Sequence, residues 1–265
     1  MNVSTFITAG DGCRLAYRLD GDENKPVLVL SNSIGTTLHM WDGQARELSD
    51  QYRVLRYDQR GHGGSDAPSG HYTFDLLIAD AMALLDALNI KRASFAGLSM
   101  GGATALGFAQ QHPDRLDKVI VCDSPCQSTP QSTQRWNEQS AIAQSQGMEP
   151  LVEATVGRWF PPDVLKANPP YIDKIRAMIR STAVTGFVGG AAALANHDYA
   201  SKAASVTRPT LFIVGEKDGV LSPTMRKLSE TLKGGRFVEL KGAGHISNLD
   251  EPKGFTGAVR DFLGA

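Results

Sequence analysis

The stretch Ser94–Leu106 reads SFAGLSMGGATAL. At its centre, Gly97-Leu98-Ser99-Met100-Gly101 sets a serine between two glycines, each two places away. The chain holds 27 glycines in 265 residues, so Gly-x-Ser-x-Gly arises by accident in on the order of one such chain in five. The surroundings must therefore decide what it means. Upstream lies a short apolar run that suits a buried strand. Downstream lie small residues that suit a helix packed close to a sheet. At such a junction a sharp turn forces the serine into a strained backbone conformation. Glycines at −2 and +2 remove the Cβ atoms that would clash there. The helix N terminus then points backbone N–H groups at whatever binds beside Ser99 Oγ.

Working outward, strands alternate with helices. CRLAYRLDG (Cys13 to Gly21) alternates apolar and polar residues after the turn dipeptide Asp11-Gly12, and reads as an antiparallel edge strand. PVLVLS (Pro26 to Ser31) is a continuous apolar run, a strand buried on both faces. YRVLRYD, RASFAG, DKVIVCDSP, PTLFIVGEKD and RFVELKG read as further strands. Helical spacing covers Thr73 to Leu88 with Thr73 as N-cap, Ser99 to His112, Pro223 to Lys233 and Pro252 to Leu263. The alternation implies an α/β domain with a largely parallel sheet. It breaks between residues 126 and 203, where the polar CQSTPQSTQ leads into RWFPPDVLKANPPY. The expected organisation is a core of residues 1–125 and 204–265, with 126–203 inserted as a helical lid.

The net charge is −1 and charged residues make up 21%. No basic stripe appears, so nucleic acid and anionic membranes are not expected partners. Cys13, Cys122 and Cys126 lack metal-ligand spacing, so no metal is expected and the thiols read as reduced. The N-terminal stretch has neither a basic nor an apolar signal-peptide region, and no run approaches a membrane span. A cytoplasmic location is the expectation. Oligomeric state is open, a homo-oligomer included.

A serine hydroxyl needs a base. Of the six histidines, His245 stands in a glycine-rich loop (KGAGHISNLDEP) after the last strand, where a loop at the carboxyl edge of the sheet reaches Ser99. The orienting carboxylate is expected to be Asp218, after the preceding strand, with Glu216 and Asp123 as rivals. Two backbone donors for an oxyanion are expected from Met100 and Ile34, the latter in the loop NSIGTTLHMW, its side chain incidental. Asn32 and Ser33 read as turn chemistry. Asp58, Arg60 and His62 in YDQRGHGGSD read as structural, with Asp58 and Arg60 placed to bond the NSIGTTLHMW loop. His39 has no evident partner.

These segments together resemble the α/β-hydrolase superfamily over nearly the whole chain: the loop after PVLVLS, RYDQRGHGGSDAP, GLSMGG, GEKD and GHISNLDEP, in the order Ser99, Asp218, His245. The resemblance implies a mostly parallel, eight-stranded sheet flanked by helices, with a catalytic triad of those three residues. Within the superfamily the chain is most similar to 3-oxoadipate enol-lactonases. Asn32-Ser33 stands where His-Gly is common, followed by Ile34-Gly35-Thr36 and a downstream Met40-Trp41, and GRWF and HISN point the same way. GFVGGAAALANHDY has no secure counterpart. The resemblance implies a serine hydrolase that opens a lactone or ester through an acyl-enzyme, with no metal or organic cofactor. In that reading Arg158 binds a substrate carboxylate and Trp159 walls the pocket, with Arg135-Trp136 a weaker pair. A general carboxylesterase, a hydrolase of another lactone, a C–C bond hydrolase and a non-catalytic ligand receptor are the alternatives. Haloalkane dehalogenases and epoxide hydrolases are disfavoured because they place Asp where Ser99 stands.

Overall fold

The computed structural model describes residues 5–264. Along the chain run β1 (Thr5–Thr8), β2 (Arg14–Asp20), β3 (Val27–Ser31), α1 (Asp42–Leu48), β4 (Arg53–Tyr57), α2 (Phe74–Ala87), β5 (Ala93–Leu98), α3 (Met100–Gln111) and β6 (Leu116–Cys122). A block of helices follows: α4 (Pro130–Gln146), α5 (Glu149–Trp159), α6 (Pro162–Ala167), α7 (Pro170–Ser181) and α8 (Val184–Ala195). The chain ends with β7 (Thr210–Gly215), α9 (Leu221–Thr231), β8 (Arg236–Leu240), α10 (Ser247–Asp250) and α11 (Pro252–Gly264).

The strands form one eight-stranded sheet in the order β1-β2-β4-β3-β5-β6-β7-β8. From β4 to β8 every pairing is parallel, while β1–β2 and β2–β4 are antiparallel. The continuous apolar runs are explained by this topology. Strands β5 and β7 are buried along their whole length, and β3 from Leu28 onward, because helices cover both faces. The period of two decides which side each residue serves. Leu28, Leu30, Ala96 and Leu98 face a core shared with α1 and α11, whereas Val29 and Phe95 face α2, α3 and α9.

One sequence reading is corrected here. β2 is not the edge: Thr5–Thr8 pairs outside it, closing a hairpin through Ala9–Cys13, with Gly12 at φ 88° in the turn. The reading of α2 holds, with Thr73 accepting from Leu76 N–H at 3.2 Å as its cap.

The order reversal at β3 positions the site. The chain steps from β3 to β4 on one side and to β5 on the other. Loops leaving the carboxyl ends of β3 and β5 therefore diverge and leave a crevice between them. The helical insertion lies over this end, and its apolar residues Trp136, Val156, Trp159, Ile175 and Phe187 join the α1/α11 core rather than forming their own.

The small residues of α8, unassigned by the sequence, are where the insertion sits down on the sheet's loops. A Cβ on Gly186 would fall 2.0 Å from the Gly61 carbonyl, and one on Gly189 2.6 Å from the Tyr72 ring. The backbones touch, which only glycine allows. The ends of the insertion are tied by His197, whose ring nitrogens face the carbonyls of Pro125 (2.8 Å) and Leu194 (3.2 Å). No single helix among the described residues is long and apolar enough to cross a membrane. The signal-peptide reading extends over residues 1–4, which lie outside the described residues.

Candidate active site

Ser99 joins β5 to α3 with φ 57° and ψ −112°. That conformation is rare for a residue with a Cβ and costs about 1–3 kcal/mol. Its neighbours explain why it persists. A Cβ on Gly97 would stand 2.0 Å from the Gly101 carbonyl oxygen, and one on Gly101 2.2 Å from the Ser31 carbonyl oxygen. The turn is also pinned: Ser99 N–H donates to Cys122 O (2.9 Å), and Ser99 O accepts from Ser124 Oγ (2.8 Å). Ser99 Oγ itself hydrogen-bonds to no described residue.

The loop after β3 is held as firmly. Asn32 Nδ2 donates to Thr36 O at 2.7 Å, and Asn32 O accepts from Gln59 Nε2 (2.6 Å) and from Gly101 N–H (3.2 Å), which ties this loop to the turn at Ser99. Within both segments the neighbouring amides are used: Ser33, Gly35 and Thr36 in one, Ser99 and Gly101 in the other. The N–H groups of Ile34 and Met100 donate to no described group. Two unpaired buried donors are costly unless something accepts from them. They are the two amides the sequence singles out. The Ile34 side chain is not incidental: it is buried and lines the cavity with Gly35.

The segment after β4 supports that loop. Asp58 accepts from Leu38 N–H (2.6 Å) and Gly64 N–H (2.8 Å), as expected. Arg60 does not reach the loop; its guanidinium pairs with buried Asp80 (2.5 Å) and with Asp11 (2.9 Å). His62, read only as structural, has a specific task. Its Nδ1–H donates to Arg60 O (3.1 Å), so its Nε2 accepts from Gly35 N–H (2.9 Å), one residue from Ile34. The signal was there in GHGG, but its partner lies 27 residues upstream. His39, without an evident partner in the sequence, contacts Asp42 at 3.2 Å.

Burial pushes the His62 imidazole down to about 4. An unfolded chain protonates it near its ordinary value of about 6.5. The folded protein stays neutral at this site between those values while the unfolded chain gains a proton. This contribution to stability is thus full above pH 6.5 and is lost as the pH falls towards 4, by about 3 kcal/mol in all. His62→Gln keeps an acceptor but cannot titrate. The stability difference between wild type and variant, read from urea melts, is expected to move against the wild type by about that amount across the window. A pH-independent difference would contradict a neutral His62.

At the far side of the crevice, His245 Nδ1 lies 2.8 Å from Asp218 Oδ2. A carboxylate only accepts, so Nδ1 carries the proton and Nε2 presents its lone pair. Both side chains are nearly buried, at 11% and 12% exposure. The rivals bond elsewhere. Glu216 accepts from Gly242 N–H (2.8 Å). Asp123 accepts from Gly215 N–H (2.7 Å) and from Ser247 Oγ. Burial, together with the Asp218 charge, holds the Asp123 carboxyl well above the usual carboxylate range. Asp123 therefore staples the ends of β6 and β7 to the His245 loop. Sequence reading missed this clamp, because Ser247 carries no mark of its partner.

Residues of the inserted helices line the crevice together with the loop after β3. Ile34, Gly35, Trp136, Thr155, Arg158 and Trp159 line a cavity of only about 10 Å³. Trp159 is buried and stacks on the His245 ring, centroids 5.8 Å apart and planes at 30°. Arg158 makes no ion pair or hydrogen bond with a described residue; its guanidinium lies 5.7 Å from the Trp136 ring. Arg158 is itself solvent-exposed; desolvation and the nearby Arg135 charge lower its pKa, yet it remains a cation at neutral pH.

Comparison with known proteins agrees with this architecture. The model of the alpha/beta hydrolase fold family matches residues 26–252. The 3-oxoadipate enol-lactonase 2 of Acinetobacter baylyi is 34% identical over 262 residues, covering 96% of this chain and 94% of its own. A solved hydrolase from Pseudomonas aeruginosa PA01 superposes with a TM-score of 0.95 at 41% identity, covering 100% of this chain and 99% of its own. The enol-lactonase from Burkholderia xenovorans LB400 gives 0.94 at 39%, over 98% and 100%. With a strained serine at the carboxyl edge of such a sheet and a family match across most of its length, the chain belongs to the alpha/beta hydrolase fold family and is a hydrolase enzyme.

Proposed function

We propose that the chain opens a carboxylated lactone, 3-oxoadipate enol-lactone, by nucleophilic catalysis at Ser99, with His245 as base, Asp218 as its orienting carboxylate and the insertion acting as a lid. The observation that carries this reading is the pair of unpaired amides, Ile34 and Met100, beside a serine held at positive φ. Ser99 Oγ attacks the lactone carbonyl while His245 Nε2 takes its proton. The oxyanion is stabilised by the Ile34 and Met100 amides. On collapse the ring C–O bond breaks, and the enol oxygen leaves with the proton from His245. The enol tautomerises to a ketone, which makes it a good leaving group. His245 then activates a water that hydrolyses the acyl-enzyme.

The unpaired Arg158 on the cavity wall supports a substrate with a free carboxylate. A charge-assisted hydrogen bond is worth about 1.5–3 kcal/mol. Arg158→Ala is accordingly expected to raise KM for the enol-lactone by about 10- to 100-fold, and to change KM for neutral p-nitrophenyl acetate by less than about 3-fold. In the unmodified enzyme, kcat/KM for the enol-lactone should exceed that for p-nitrophenyl acetate by at least about 100-fold. Equal values for the two substrates would favour a general carboxylesterase.

A further inference from the structure

Trp159 was expected only to wall the pocket, yet it makes a second kind of contact. It closes α5, and its carbonyl oxygen accepts the backbone N–H of His245 at 2.8 Å. Its indole stacks on the imidazole of the same residue. The fit leaves no slack: a Cβ on Gly244 would fall 2.4 Å from that carbonyl and 2.9 Å from Pro161 Cδ. His245 is therefore held at three points. Asp218 fixes Nδ1, the Trp159 carbonyl fixes the backbone, and the indole face fixes the ring plane. Two of the three come from the helical insertion.

We infer that Trp159 is a positioning residue for His245, so that seating the insertion over the crevice is what aligns the base. The cavity supports the coupling. Arg158 and Trp159 at the end of α5 line it beside Ile34 and Gly35, so a shift of that end moves the cavity wall and the supports of His245 together. That shift carries the Trp159 carbonyl and indole away from His245. The imidazole regains its full alignment when the insertion closes again over the bound molecule, and closure expels water at the same time. The stacked indole also favours the imidazolium that forms as Ser99 attacks, because a cation gains from an aromatic face.

The inference rests on the reading of Ser99 and His245 as nucleophile and base, and its test separates the two. Trp159→Leu is assayed with p-nitrophenyl acetate, whose acetyl group is too short to depend on the pocket wall, and by the rate of phosphorylation with an organophosphate diester, which reports Ser99 activation without turnover. The expected result is a 10- to 100-fold fall in kcat and in phosphorylation rate, with KM for the acetate within about 3-fold of wild type. Trp159→Phe keeps a stacking ring and is expected to recover to within about 5-fold. Should Trp159→Leu fail to fold, as judged by thermal melting, Trp159→Met supplies the ringless side chain. A ringless variant with wild-type kcat overturns the inference, and so does Trp159→Phe falling as far as Trp159→Leu. Full activity of Ser99→Ala would instead overturn the underlying assignment of the nucleophile.

Discussion

Ser99→Ala is expected to lose on the order of 10⁵–10⁶-fold in kcat, with the residual rate set by the remaining amides and by binding alone. A loss of that size is reserved for the group that forms the covalent bond. No other described residue offers a hydroxyl held this way, with a helix N terminus below it and two unpaired amides beside it. The measurement is steady-state hydrolysis of p-nitrophenyl acetate, with the acyl-enzyme burst at high enzyme concentration as a second reading. Both should vanish while the fold persists. A companion variant separates strain from chemistry. Ser99→Gly is equally inactive, but it relieves a side-chain-bearing residue at φ 57° and is expected to be about 1 kcal/mol more stable. An alanine variant within 10-fold of wild type would end the nucleophile assignment.

Asp218→Asn should reduce kcat by about 10⁴-fold, equivalent to roughly 5.5 kcal/mol of barrier. The reason is proton placement rather than lost contact. Asp218 accepts from His245 Nδ1 at 2.8 Å. An amide can turn its NH₂ towards Nδ1, which places the ring proton on Nε2, where it blocks proton transfer from Ser99. The substitution barely changes volume, so thermal stability should move little. Asp123→Asn is the control for position. That carboxyl also sits at a strand end, but its partners are Gly215 and Ser247. It should cost far less kcat than Asp218→Asn. If the two effects were reversed, the orienting carboxylate would be Asp123.

Much of this site could be read in the sequence because each key residue follows a strand whose composition is unambiguous. VLVL in β3, FAGL in β5 and LFIVG in β7 are unbroken runs without a polar side chain, since both faces are covered. The residues after them must lie at the sheet's edge. The misses share one physical cause: their partners are distant. β1 has only Ile7 buried, too little to mark an alternating pattern, and without β1 its neighbour reads as an edge. Arg60 finds Asp80, and His62 finds Gly35, through the packing of whole elements. Asp218 and Asp123 both follow strands in the sequence, and what separates them is which carboxyl reaches His245 Nδ1.

The contact of Gly186 with Gly61 has a practical consequence for anyone reshaping substrate range. Helix α8 rests backbone to backbone on the segment that braces the loop after β3. It behaves as a foundation block, although the chain reaches it only after four other inserted helices. A graft of foreign helices should therefore be spliced at Thr129 and Thr182, so that the native footing is retained.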